Sequence, residues 1–423
     1  MNEETVREIH PISKLDAEVR IPPSKSYTNR ALIAAALADG PSKILNPSQS
    51  EDSQYLIDAL PEFGIQLKRH KGFIEISGSG GTLQAPSKEI FVGNAGTAMR
   101  FLSGFAAIAQ GTTEINGDAQ MQQRPMNDLL AALKTAGIKC SSNNGNPPVK
   151  IHGGNFVGGT IELDASTSSQ YLSALLLAAP YAKRPTAIHV KGKISSLPYI
   201  DMTLHVMRSF GAIFDDVDMK LFRIDHNQHY IGHVFAIEGD ASAATYFAAA
   251  AAITGGKISI PHLSRESLQG DVKFFDILSD MGCSVTTFDN TLEIRGGLLR
   301  GIEIDMNQIP DCVPALAVVA AFSEGPTTIY NIAHLQFKET NRLTAIAREL
   351  TKLGARVEVA DDTMAIHPKQ LHGTEIDTYN DHRIAMAFAI AGLRINGVII
   401  KNPGCVKKSF PDFWKEFQKL EGR

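Results

Sequence analysis

Ile21-Pro-Pro-Ser-Lys-Ser-Tyr-Thr-Asn-Arg-Ala-Leu-Ile-Ala-Ala-Ala-Leu-Ala-Asp-Gly40 is the stretch from which the fold of this 423-residue chain can be read. Pro22 and Pro23 forbid helix just upstream, and Ser24 or Ser26 offers a side-chain cap to a helix starting there. Ala31 to Ala38 predicts a helix of small apolar side chains, closed by Gly40 in a left-handed cap. So little bulk lets neighbouring backbone approach closely. The first turn carries Lys25, Ser26, Thr28 and Arg30 beside free backbone N–H groups and the positive end of the helix dipole. That combination suits an anion.

The event recurs. Similar starts stand at Gly96 (Asn-Ala-Gly-Thr-Ala-Met-Arg), Ser168, Ala241 (Asp-Ala-Ser-Ala-Ala-Thr), Asp311 and Asp381, at steps of 72, 72, 73, 70 and 70 residues counted from Ser24. A second series accompanies the first: amphipathic helices ending at Gly64, Gly137, Gly211, Gly282 and Gly354, spaced 73, 74, 71 and 72 apart. Alternating pairs come after these glycines, such as Cys283–Phe288 with Thr291–Arg295 and Arg356–Ala360 with Thr363–His367. Asp289-Asn290 and Asp361-Asp362 supply their turns. A sixth amphipathic helix, Phe410–Leu420, reaches Gly422 with no strands after it. Val6–Ile9 and Leu15–Ile21 at the other end are strand-like and are expected to close that last unit circularly. This self-similarity implies six βαββαβ-like units of about 70 residues.

Three units per domain place one domain at 23–237 and a discontinuous one at 1–22 plus 238–423, with a hinge near 22–23 and 238–240. A cleft between two such domains is the expected place for a small-molecule site.

Composition narrows the function. A 43% apolar fraction with 20% charged residues and 35 glycines fits an α/β enzyme, and a net charge of −4 speaks against nucleic acid as main partner. Cys140, Cys283, Cys312 and Cys405 show neither CxxC nor metal spacing, which predicts reduced thiols in a cytoplasmic protein and no metal. The start, Met-Asn-Glu-Glu-Thr-Val, is acidic and lacks the apolar core of a secretory signal. Alanine runs such as Ala248–Ile253 are too short to span a bilayer.

The helix starts supply Lys25, Ser26, Arg30, Asn94, Gly96, Arg100, Ser168, Ser169, Gln170, Asp311, His382 and Arg383. Connections ahead of the amphipathic helices add Arg124, Ser196 with Tyr199, Lys338-Glu339-Thr340-Asn341-Arg342, and Lys407-Lys408. Basic groups gathered in an acidic chain imply a small polyanionic ligand, arginine for bidentate contacts and lysine as a point charge that also moves protons. Asp311 and Glu339 are the carboxylates within that set, hence acid/base candidates. Singly, each residue has a blander explanation: Lys25 and Glu339 as solvated charges, Asp311 as an N-cap, His382 as a cap, Gly96 as a packing residue. Recurrence at one register outweighs those.

Pro-Ser-Lys-Ser-Tyr-Thr-Asn-Arg (23–30), Gly-Asn-Ala-Gly-Thr-Ala-Met-Arg (93–100), Gln-Arg-Pro (123–125), Ser-Ser-Gln-Tyr-Leu (168–172), Gly-Asp-Ala-Ser (239–242), Lys-Glu-Thr-Asn-Arg (338–342) and Asn-Asp-His-Arg-Ile-Ala-Met (380–386) together resemble the 5-enolpyruvylshikimate-3-phosphate synthase family. The resemblance runs nearly the length of the chain, with its motifs in family order. It implies an inside-out α/β barrel architecture: two domains, each of three βαββαβ units in pseudo-threefold arrangement, closing like jaws. The implied activity transfers the enolpyruvyl group of phosphoenolpyruvate to the 5-hydroxyl of shikimate 3-phosphate, on the route to chorismate and the aromatic amino acids.

The resemblance also implies roles. Shikimate 3-phosphate would be held by Lys25, Ser26, Arg30, Ser168, Ser169, Gln170, Ser196, Tyr199, Asp311 and Lys338. Phosphoenolpyruvate would be held by Lys25, Asn94, Gly96, Arg124, Gln170, Arg342, His382, Arg383 and Lys408. Asp311 would take the 5-hydroxyl proton and Glu339 would protonate the methylene carbon, with Lys25 assisting. No metal or organic cofactor is implied, and a monomer acting on two small molecules, without nucleic acid or membrane, is expected.

Three positions depart from the family pattern: Phe101 where a proline is common, His334 where some members have a substrate-contacting asparagine, and Gln336 in place of a frequent basic residue. The sister transferase acting on UDP-N-acetylglucosamine typically carries a cysteine before the arginine matching Arg124, whereas this chain has no cysteine before Cys140. A non-catalytic anion-binding protein would be free to lose Asp311 or Glu339, and both are present. An RNA-end-processing enzyme of similar modules is disfavoured by the net negative charge.

Overall fold

The computed structural model describes residues 5–289 and 291–421. Met1 to Glu4, Asn290 of the expected turn, Gly422 and Arg423 lie outside the described residues. By their internal contacts, Pro23–Glu238 form one compact unit, and Met1–Pro22 with Gly239–Arg423 form the other.

In the first unit the helices are α1 (Lys25–Leu37), α2 (Glu51–Ala59), α3 (Gly96–Ile108), α4 (Asn127–Thr135), α5 (Ser169–Ala178) and α6 (Pro198–Ser209). The second has α7 (Ala241–Thr254), α8 (Lys273–Asp280), α9 (Val313–Ala320), α10 (Arg342–Lys352), α11 (His382–Gly392) and α12 (Phe413–Gln418). The small-residue helices α1, α3 and α5 pack on one another, as do α7, α9 and α11, and they are buried almost throughout. Their lack of bulk is what permits this. At Gly104 an added Cβ would lie 2.6 Å from the Ala174 carbonyl oxygen, so α3 and α5 meet backbone to backbone there.

The sheets lie outside these helices. In the first unit one sheet runs Val234–Ala236, Pro41–Leu45, Phe73–Ser77, Gln66–His70; the next Ile90–Phe91, Gly111–Asn116, Asn146–Gly153, Lys139–Asn143; the third Gly159–Asp164, Thr186–Lys191, Leu221–Ile224, Phe214–Val217. The first pair in each is parallel and the rest antiparallel. The second unit repeats the scheme in Asp16–Glu18, Lys257–Pro261, Thr291–Arg295, Ser284–Phe288 and in Glu303–Asp305, Thr327–Tyr330, Thr363–His367, Arg356–Val359. From the strand ahead of each inner helix, the repeat runs strand, helix, strand, helix, hairpin.

Circular closure takes a form different from the expected one. Val6–Ile9 does complete the last unit, pairing antiparallel with Val398–Lys401 beside Glu375–Ile376. Of Leu15–Ile21 only Asp16–Glu18 forms a strand, and it pairs in parallel with Lys257–Ser259 of the fourth unit. Val234–Ala236, which leads into α7, pairs with Lys43–Leu45 of the first repeat. Each unit thus closes its own sheets with a strand drawn from a distant part of the chain.

Other boundaries also shift. Helix α1 starts at Lys25 with Ser24 as its cap, one of the two expected, the Ser24 hydroxyl accepting the Tyr27 N–H at 3.4 Å. It ends at Leu37; Gly40, at φ +81°, turns the chain two residues past the extended Ala38. Pro411 biases Phe410 away from helix. The expected final helix, Phe410–Leu420, is therefore shortened to Phe413–Gln418, with a 3-10 helix at Lys419–Glu421 after it and a separate 3-10 helix, Pro403–Lys408, ahead of it. The five glycines after the amphipathic helices all adopt left-handed φ, from +85° at Gly211 to +112° at Gly282.

Candidate active site

In the first unit the site residues gather at the starts of α1, α3 and α5. Lys25 is the first residue of α1, and its Nζ donates to Asp52 Oδ2 at 2.8 Å. One turn on, Arg30 is buried. Its guanidinium donates to Thr203 Oγ1 (2.8 Å), Ser26 O (3.0 Å), Tyr199 O (3.0 Å) and Ser173 Oγ (3.4 Å), and it faces the Phe101 and Tyr199 rings. Among the described residues no carboxylate bonds it. Burial lowers its pKa to about 10, against the pull of the Tyr199 and Tyr27 phenols, so it stays cationic at neutral pH. A buried cation held by neutral groups keeps its attraction for an incoming anion.

Phe101, one of the three departures from the family pattern, leaves α3 continuous from Gly96 to Ile108 and places its ring 5.3 Å from the Arg30 guanidinium. Gly96 opens that helix under Arg124. A Cβ there would lie 2.8 Å from both terminal guanidinium nitrogens, so the absence of a side chain makes room for the arginine. Arg124 donates to Asn94 Oδ1 at 3.3 Å and to Asn94 O at 3.4 Å. Ser168 caps α5, its Oγ accepting from the Gln170 N–H at 3.2 Å; the Gln170 side chain reaches Thr97 Oγ1 of α3 at 3.4 Å. Ser169 is buried, and Ser196 is buried with φ +59°, its carbonyl receiving the Tyr199 N–H at 3.1 Å.

The second unit is organised around one buried arginine. Arg342, the first residue of α10, donates to Asp381 Oδ2 (2.8 Å) and Oδ1 (3.2 Å), to Asp311 Oδ1 (2.9 Å) and to Glu339 Oε2 (2.7 Å). Arg383 donates to Asp311 Oδ2 at 2.6 Å and to the Tyr246 hydroxyl at 3.1 Å. Lys408 lies 3.6 Å from Glu339 Oε1. Asp381 is at once the cap of α11, accepting the Arg383 N–H at 2.9 Å, and the main partner of Arg342. His382 is next in the chain, buried, with Nδ1 3.6 Å from Asp381 Oδ1.

Electrostatics separates the groups. Burial opposes ionisation of Asp311, but Arg383, Lys338 and Arg342 outweigh it and hold its carboxyl well below the usual range. Burial also opposes the charge on Arg342, and Asp381, Glu339 and Asp311 overcome it, raising its pKa. His334 is buried, its Nε2 has no hydrogen-bond partner among the described residues, and burial together with the Lys338 charge lowers its pKa to about 3. It is a neutral imidazole at the edge of this cluster.

The Lys-Glu-Thr-Asn-Arg block, Asp311 and Asn-Asp-His-Arg are thus brought together, with Lys408 against Glu339. Sequence reasoning missed Asp52, Tyr246, Thr203 and Ser173, and took Asp381 only as a helix start. Asp52 stands in the first turn of α2 behind the Ser50 cap, where an acidic residue needs no further explanation. Among the described residues no group of three or more His, Cys, Asp or Glu side chains is placed to hold a metal, and no helix is long and apolar enough to cross a membrane.

The sequence model of EPSP synthase (3-phosphoshikimate 1-carboxyvinyltransferase) matches residues 9–417. The chain belongs to the EPSP synthase family. Among its relatives, the 3-phosphoshikimate 1-carboxyvinyltransferase of Nostoc punctiforme is 43% identical over 413 residues, covering 96% of this chain and 97% of that one. That of Photobacterium profundum is 42% identical, covering 97% and 98%. A solved EPSP synthase from Acinetobacter baumannii superposes with a TM-score of 0.82 at 27% identity, covering 98% of each chain. The EPSP synthase family thus accounts for the repeat architecture expected from the glycine and helix spacing, and for the convergence of the carboxylates with the basic groups.

Proposed function

We infer that this protein is a 3-phosphoshikimate 1-carboxyvinyltransferase. It transfers the enolpyruvyl group of phosphoenolpyruvate to the 5-hydroxyl of shikimate 3-phosphate and releases phosphate. The observation that carries this reading is family membership along almost the whole chain with both acid/base carboxylates retained.

In the proposed chemistry the 5-hydroxyl oxygen adds to C2 of phosphoenolpyruvate while C3 gains a proton. The tetrahedral intermediate then loses phosphate from C2 and a proton from C3, restoring the double bond. Glu339 protonates C3. Asp311, kept anionic by its neighbours, accepts the hydroxyl proton. Its depressed pKa makes it a weak base while the site holds only protein charges. An anion on Arg383 and Arg342 offsets their field and raises the basicity of Asp311 when substrate is present. Lys25 assists proton transfer and, with Arg124, Arg342, Arg383 and Lys408, stabilises charge on the departing phosphate.

Arg30, with Lys25, Ser26, Ser168, Ser169, Gln170, Ser196, Tyr199, Asp311 and Lys338, holds shikimate 3-phosphate. Asn94, Gly96, Gln170 and His382 complete the phosphoenolpyruvate contacts. The reaction needs no metal or organic cofactor, and the enzyme acts as a cytoplasmic monomer.

Phosphate release from phosphoenolpyruvate, measured with shikimate 3-phosphate or UDP-N-acetylglucosamine as acceptor, tests the reading. Release with shikimate 3-phosphate alone supports it; release only with the sugar nucleotide, or with neither acceptor from folded protein, removes it.

A further inference from the structure

Glu349 is a fully buried carboxylate that the chemistry above does not use. It lies two turns after Arg342 on α10 and receives hydrogen bonds from Lys352 Nζ at 2.6 Å (Oε2), the Asp377 N–H at 3.1 Å (Oε2) and the Tyr379 hydroxyl at 2.6 Å (Oε1). Two of those donors belong to the segment just before Asp381. There Tyr379 and Asn380 stand consecutively in the left-handed region, at φ +53° and +54°. Asparagine tolerates that region, but tyrosine rarely does, so the turn persists only if its surroundings hold it.

The holding contacts are visible. Thr378 Oγ1 donates to Lys401 O at 3.0 Å, Asn402 Nδ2 to Asn380 Oδ1 at 3.1 Å, and the Asp381 N–H to Thr378 O at 2.8 Å. The next residue is the carboxylate that holds Arg342 through two of its nitrogens. One helix thus carries both the arginine and the anchor of the turn that presents the arginine's partner.

We propose that Glu349 is a positioning residue for the reaction: by clamping the Asp377–Asn380 turn it sets Asp381, and through Asp381 the orientation of the Arg342 guanidinium toward phosphoenolpyruvate. The proposal rests on the assignment of Arg342 to that substrate. Glu349 touches no reacting atom and acts through the turn, so its loss changes phosphoenolpyruvate use more than acceptor use, which Arg342 reaches through Asp311.

Steady-state kinetics of the purified full-length enzyme test this, with Glu349→Gln, Tyr379→Phe, Asp381→Asn and Arg342→Lys compared. Glu349→Gln raises KM for phosphoenolpyruvate about 10-fold and leaves KM for shikimate 3-phosphate within about twofold; Tyr379→Phe gives a smaller shift of the same kind. In the Asp381→Asn background, Glu349→Gln adds less than about twofold, since the two act in series. Should Glu349→Gln fail to fold, Tyr379→Phe alone and in the Asp381→Asn background decides by the same criteria. Fully additive effects in the double variant, or equal shifts in both KM values, overturn the proposal in favour of a merely structural role. If Arg342→Lys alone leaves KM for phosphoenolpyruvate unchanged, the assignment of Arg342 falls and the positioning claim with it. If Arg342→Lys raises that KM while Glu349→Gln and Tyr379→Phe do not, only the positioning claim falls.

Discussion

Arg342 and Asp381 form a two-point hydrogen-bonded pair, at 2.8 and 3.2 Å, with both side chains all but excluded from water. A pair of this kind is worth little against an apolar replacement, but removing one partner strands the other charge in the interior. Asp381→Ala is expected to destabilise the protein by about 3 kcal/mol and to raise KM for phosphoenolpyruvate. Urea unfolding alongside steady-state kinetics checks both. Loss of activity with stability unchanged would mean that Arg342 finds full compensation in Asp311 and Glu339.

Glu339 lies between Arg342 and Lys408 and is the assigned proton donor to carbon. Glu339→Gln keeps the shape and a hydrogen-bond acceptor for Arg342 but cannot deliver the proton. Turnover should fall at least about 100-fold while both substrates still bind. Calorimetric titration plus kcat measurement reads this, and unchanged turnover would take Glu339 out of the mechanism.

Arg124 contacts Asn94 and sits over Gly96, apart from the groups that hold Arg30. Arg124→Ala should weaken phosphoenolpyruvate about 10-fold or more and shikimate 3-phosphate much less. Equal weakening in a binding titration contradicts the assignment.

The pH dependence of stability has a visible contributor in Asp271. Burial, then Asp311, push its carboxyl up to about 6, although the Ser242 hydroxyl donates to it. A carboxyl with a folded-state pKa above its unfolded value near ~3.9 stabilises the protein fully below that pH, and the contribution is lost as pH rises to about 6. Relative to wild type, Asp271→Asn should therefore gain stability between pH 4 and 6, on the order of 2–3 kcal/mol, and hold that gain at higher pH. A flat difference curve across that window would show that Asp271 titrates normally.

Gly282 and Gly40 separate two costs. Both have positive φ, but a Cβ at Gly282 would lie 2.4 Å from the Leu298 carbonyl oxygen, whereas at Gly40 none of the described residues comes within 4 Å. Gly40→Ala should cost about 1 kcal/mol from backbone conformation alone, and Gly282→Ala at least about 2 kcal/mol more. Similar unfolding midpoints for the two variants would refute the steric account.

These residues also mark what was legible beforehand. The glycines ending the amphipathic helices and the small-residue helix starts recur at a fixed interval, and each is decided by local backbone chemistry, so the repeat could be read in one dimension. Asp16–Glu18 could not, because its pairing with Lys257–Ser259 depends on a partner far along the chain. Glu339 stands three residues before Arg342, the first residue of α10, so their ion pair is local in sequence. Asp381 looked like an ordinary cap, which it is, and its second bond to Arg342 emerges only in three dimensions. Asp52 was hidden in the same way, as an acidic residue in the first turn of α2.

The central claim is the reaction itself, tested most directly by following phosphoenolpyruvate labelled with carbon-13 at C2 by NMR, in the presence of the purified protein and shikimate 3-phosphate. The account predicts that the label moves into an enol ether of the acceptor while inorganic phosphate is released in equal amount, and that neither happens without shikimate 3-phosphate. Label remaining in phosphoenolpyruvate with folded protein and both substrates bound, or passing to pyruvate instead, would contradict it.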